Sequence, residues 1–245
     1  MKFFHLFSRS TRQITLFRFD QKKLHRLRPA AKVCSTLLPK LSAAIFLLGV
    51  LTAFLRKTPI TGESPLALFL SGLFLLTFLH EAAHIIVSIA CGCPVDEAGL
   101  LLCGPIPIGA YIESDPPKRP RLHVRVALAG LESDLLAVGI LLFLQSFTGS
   151  RLCTELAFFN FLSVLSNAAP ISGRDGEHAL SARLGIGDVA FVAKVILSTP
   201  QLRRRIRRRG FNGWLTLCFF RIVRCARVLV FLTELLAFLF FGICC

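Results

Sequence analysis

His80 and His84 stand four residues apart with Glu81 between them, in the order His80-Glu81-Ala82-Ala83-His84. In a helix, a turn of about 100° and a rise of about 1.5 Å per residue put positions four apart on one face, a single turn from each other. Two neutral imidazoles so placed can bind one Zn²⁺. Glu81 lies beside that face and can reach a water on the metal without being a ligand. Zinc draws such a water's pKa towards neutrality, and Glu81 can then take its proton as general base and pass it to a leaving amine. The five-residue pattern also arises by chance, but its setting here is unusual. From Ser64 to Val95, Glu81 is the only acidic or basic side chain. A carboxylate in so apolar a run costs roughly 3 kcal/mol on insertion scales, and such residues are kept for function.

A catalytic zinc needs a third protein ligand and an open position. Asp175 is the candidate: it completes a His₂-Asp donor set, and Gly173 and Gly176 let the backbone bend beside it. The other reading of Asp175 is a turn carboxylate satisfied by local backbone amides.

The elements that must position these groups lie in a lipid-like chain. Of 245 residues, 54% are hydrophobic and only 18% charged, and the apolar residues fall in blocks that point to several transmembrane helices. The net charge of +15 is also segregated, with a basic block before Lys40 and another over Arg203–Arg209. Basic blocks next to apolar segments set membrane orientation and meet anionic lipid, so no nucleic-acid partner is expected. Nine cysteines, none in a Cys-x-x-Cys pair, read as apolar filler; Cys91/Cys93 and Cys244/Cys245 could instead accept acyl chains.

Five segments follow: a basic cytoplasmic region at 1–40, a first transmembrane helix and external link at 41–65, a core at 66–180, a basic cytoplasmic or interfacial segment at 181–227, and a final transmembrane helix at 228–245. Spans are expected over Leu41–Leu55, Leu66–Cys91, Val124–Phe147, Leu152–Ala169 and Val228–Cys245, with Asp188–Ser198 interfacial. The run Leu100–Ile112 is broken by Gly104, Pro105, Pro107 and Gly109, which favours an extended hairpin over a helix. Its edge could pair with an unwound substrate strand, with Gly104 and Gly109 as substrate-contacting positions; a plain connecting hairpin is the alternative. Counting Lys and Arg puts the N-terminus in the cytoplasm of a multi-pass protein.

Three features together resemble the site-2 protease family of intramembrane zinc metalloproteases. They are the His80–His84 motif in a membrane helix, the Gly/Pro-broken segment Gly99–Glu113, and Asn167-Ala168-Ala169-Pro170-Ile171-Ser172-Gly173-Arg174-Asp175-Gly176 after a later span. The resemblance covers roughly residues 66–180. It implies an all-α polytopic fold of about five transmembrane helices, with a three-helix metalloprotease core and a short membrane-associated β-hairpin, in a bacterial cell membrane. It implies one catalytic Zn²⁺ held by His80, His84 and Asp175, Glu81 as general base, and Asn167 orienting a membrane-embedded or membrane-adjacent protein substrate.

The chain departs from the family where a small-Gly-Pro-x-x-Asn pattern is usual: Ala129-Gly130-Leu131-Glu132-Ser133-Asp134 stands there, without the Pro or the Asn. Glu132 and Asp134 are read as marking the water interface, with approach to the metal or pairing with Arg125 as alternatives. Arg174 replaces a usual apolar residue, and His178 is a surface histidine or an alternative ligand. Two other functions compete with proteolysis. Intramembrane His and acids also line metal or proton transport paths, although no repeated half is visible here, and a protease-like scaffold could bind partners without cleaving them.

Overall fold

The computed structural model describes residues 11–103, 106–115, 117, 119–171 and 173–244. Contacts divide the chain into two units, Lys2–Val164 and Leu165–Cys245.

The first unit opens with strand β1 (Thr11–Arg18), followed by helix α1 (Gln21–Arg56) and helix α2 (Leu66–Cys91). Strands β2 (Val95–Cys103) and β3 (Ile106–Ser114) form the expected hairpin. Helices α3 (Pro120–Ala127), α4 (Ala129–Thr148) and α5 (Arg151–Ala168) complete the unit, α5 running on into the second. The structure is mostly helical, and among the described residues three helical stretches are long and apolar enough to cross a membrane: α1, α2 and the consecutive α3–α4. Their outward side chains stay exposed, as on Leu47, Phe54 and Leu66, which suits contact with hydrocarbon.

The basic N-terminal region is more structured than a simple flank. Thr11, Ile14, Thr15 and Phe17 are strand-favouring residues, and this strand pairs antiparallel with β2, Ile14 opposite Leu100. The sheet order is therefore β1-β2-β3, three strands rather than a hairpin alone. Asp20 caps α1 by accepting from the Lys22 amide at 2.9 Å. From there α1 continues through Pro29 and Pro39 into the apolar run at Leu41, so that run is the second half of a 36-residue helix.

Small residues bring α1 and α4 together. A Cβ on Gly49 would stand 2.2 Å from the carbonyl oxygen of Gly139, and one on Gly139 would stand 2.6 Å from that of Ile45. Backbone rests on backbone, as at membrane helix crossings built on small residues. Phe46 stacks on Phe161 of α5, and Phe69 of α2 meets Phe159 edge-on at 5.2 Å.

The second unit holds α6 (Asp175–Leu184), α7 (Val189–Ser198), α8 (Pro200–Arg207) and α9 (Phe211–Cys244). The polar, glycine-bearing stretch from Pro170 to Gly187 thus contains a helix. Val189 and Ala193 of α7 pack on Phe220 and Val223 of α9. Glu177 is buried, where it accepts from the Ser181 hydroxyl and from the Val189 amide at 3.2 Å, fastening α6 to the start of α7.

Candidate metal centre

His80 and His84 lie one above the other on α2, their ring centroids 5.0 Å apart. The Nδ1 atoms point away from each other to separate acceptors. Nδ1 of His80 is 2.8 Å from Oδ2 of Asp134 on α4, and Nδ1 of His84 is 2.8 Å from the carbonyl oxygen of Val126 on α3. A carbonyl cannot donate, so Nδ1 of His84 carries its hydrogen, and Nδ1 of His80 does the same towards an ionised Asp134. In a neutral ring with hydrogen on Nδ1, Nε2 is the acceptor and ligating nitrogen.

Those two Nε2 atoms are 3.3 Å apart. Two lone pairs at that distance repel unless a proton or a cation lies between them. Nitrogens about 2.05 Å from a tetrahedral zinc are separated by about 3.3 Å, so the spacing fits a shared zinc. The backbone leaves room for it: α4 approaches the rings at Gly130, where a Cβ would stand 2.4 Å from Nε2 of His80 and 2.5 Å from Nε2 of His84. Any larger residue there would fill the space the imidazoles face.

Glu81 follows His80 on α2 and is half-buried. Asp175, half-buried, is the first residue of α6 rather than a turn residue. Local packing explains the glycine after it, because a Cβ on Gly176 would stand 2.0 Å from the carbonyl oxygen of Ala168. Nη1 of Arg174 donates to Oδ1 of Asn167 at 3.1 Å, so the arginine holds the asparagine seven residues before it. His178 faces Glu177, with Nδ1 3.6 Å from its carboxylate. Gly109 lies in β3 opposite Leu101; Gly104 falls outside the described residues.

The two acids of α4 differ: Glu132 takes the alternative of pairing with Arg125, and Asp134 faces inward rather than water. Glu132 is paired with Arg125 at 2.5 Å, and Arg125 also donates to the carbonyl of Ser35. Asp134 is 3% exposed and faces His80. Its contact with His80 was missed, because an acid near a helix start reads as an interface residue. Val126 and Gly130 act through their backbones, and only spatial contact reveals them.

Cys34, Cys91, Cys93, Cys153, Cys218 and Cys225 are free thiols. Partial burial pushes the Cys93 thiol above its ordinary range, which lowers its thiolate fraction and its suitability as an acyl acceptor.

No protein-family model, curated protein or solved structure matches this chain.

Proposed function

We propose that this protein is an intramembrane zinc metalloendopeptidase of the site-2 protease type. His80 and His84, with Asp175 as third donor, are its zinc ligands in this reading. The observation that carries it is the pair of Nε2 atoms 3.3 Å apart, with both Nδ1 atoms already committed to acceptors. A zinc ion held there supplies Lewis acidity, bringing a water's pKa towards neutrality and polarising a carbonyl. The carboxylate of Glu81 takes the proton of the attacking water and delivers it to the leaving nitrogen. Asn167, fixed by Arg174, orients the substrate.

A peptide bond within a helix is shielded by its own hydrogen bonds, so the substrate must be extended first. β1 already pairs with β2, and β3 is the strand whose outer edge, including Gly109, receives the unwound segment by strand addition. The substrate is a membrane-embedded or membrane-adjacent protein. The full topology in this reading has about five spans, with α5 and α9 added to the three long apolar stretches, in a bacterial cell membrane with the N-terminus cytoplasmic. Arg203–Arg209 and the N-terminal basic residues meet anionic lipid headgroups.

The test is Glu81→Gln. The variant should retain about one zinc per chain while losing cleavage of a membrane-helix substrate. Full cleavage by this variant would remove the mechanism, and zinc transport across sealed vesicles without cleavage would favour a transporter instead.

A further inference from the structure

We infer that Asp134 is a positioning residue for the metal centre: its buried carboxylate orients His80 and adds negative charge behind the cation. The inference rests on the metal-binding reading of His80 and His84. Nδ1 of His80 lies 2.8 Å from Oδ2 of Asp134, and the carboxylate is almost wholly buried. An ionised carboxylate in an apolar bundle is costly unless it is hydrogen-bonded, and the imidazole N–H is a partner it has.

Holding the ring alone does not require a carboxylate. His84 is held by a neutral carbonyl, that of Val126, and an asparagine oxygen at position 134 would accept the same hydrogen. What aspartate adds is charge. A carboxylate behind a ligating imidazole makes Nε2 more basic and offsets part of a divalent cation's charge where the dielectric is low. Arg125, on neighbouring α3, is engaged by Glu132 and by the Ser35 carbonyl. The backbone that carries this carboxylate is anchored, because Nδ2 of the buried Asn160 donates to the main-chain carbonyl of Asp134 at 2.9 Å and ties this turn of α4 to α5.

Zinc affinity of the full chain in nanodiscs, measured by competition with a chromophoric chelator, tests the inference. Asp134→Asn keeps size and an acceptor oxygen but loses the charge; Asp134→Glu keeps the charge with a displaced oxygen. Asp134→Asn should weaken zinc by about 10–100-fold with helix content unchanged, and Asp134→Glu should fall between it and wild type. The visible bands of the Co²⁺-loaded protein should shift in Asp134→Asn, a change that general packing would not produce. An Asp134→Asn affinity within about threefold of wild type overturns the inference, and so does Asp134→Glu binding no better than Asp134→Asn. Should Asp134→Asn fail to purify folded, Asp134→Ser takes its place with the same threshold. Wild-type protein without zinc affinity overturns the underlying metal reading as well, an outcome separate from tight wild-type binding that the variants leave unchanged.

Discussion

The carbonyl oxygen of Val126 lies 2.8 Å from Nδ1 of His84. Val126 sits in the last turn of α3, where its carbonyl also accepts from a backbone N–H of the helix end and uses its second lone pair on the imidazole. The helix break at Leu128 thus provides the acceptor that fixes one imidazole. Two residues further on, the same chain places Gly130 against both rings. One interruption in an otherwise continuous span serves both histidines.

Gly130→Ala should therefore strike the metal centre rather than the fold. The added methyl would lie in the space between Nε2 of His80 and Nε2 of His84, and α4 or α2 would have to move to admit it. Zinc affinity is expected to fall by at least about 10-fold, the scale of a misplaced ligand, while helix content stays at the wild-type level. Chelator competition beside circular dichroism checks this.

The acids near the centre should separate by role. Asp175→Ala is expected to lose zinc retention, with stoichiometry falling from about one per chain towards zero. Glu132→Gln should leave zinc affinity unchanged, because Glu132 faces Arg125, and His178→Ala should do the same. Metal analysis of the three purified variants distinguishes them.

The α1–α4 crossing makes a prediction about stability alone. Gly139→Leu would drive a side chain into the backbone at Ile45 and Phe46. A loss of about 1–3 kcal/mol is expected from overpacking, seen as a lower thermal midpoint in detergent. Zinc affinity of the folded fraction should be near wild type.

Much of this arrangement was legible in the chain because single residues carried a high cost. Glu81 in an apolar run and the four-residue spacing of His80 and His84 identified the helix face that α2 presents. Gly104, Pro105 and Pro107 excluded a helix between Leu100 and Ile112, and a hairpin stands there. The strand at Thr11–Arg18 was not legible, since its Arg12 and Arg18 made it read as a charged flank and its partner β2 lies more than eighty residues away. Asp134 was misread for a related reason. An acid near a helix start ordinarily marks the water interface, and only contact with His80 across 54 residues of sequence shows that it faces inward. The contributions of Val126 and Gly130 involve a carbonyl and a missing Cβ, which side-chain patterns do not report.

The central claim is a single zinc held by two imidazoles of one helix and a carboxylate. X-ray absorption at the zinc edge of the loaded, membrane-reconstituted protein tests it most directly. Two imidazole nitrogens at about 2.0–2.1 Å and oxygen donors at about 2.0–2.2 Å are expected, with the imidazole scattering lost in a His80→Ala, His84→Ala double variant. A sulfur shell near 2.3 Å, or a spectrum that the double variant leaves unchanged, would contradict it.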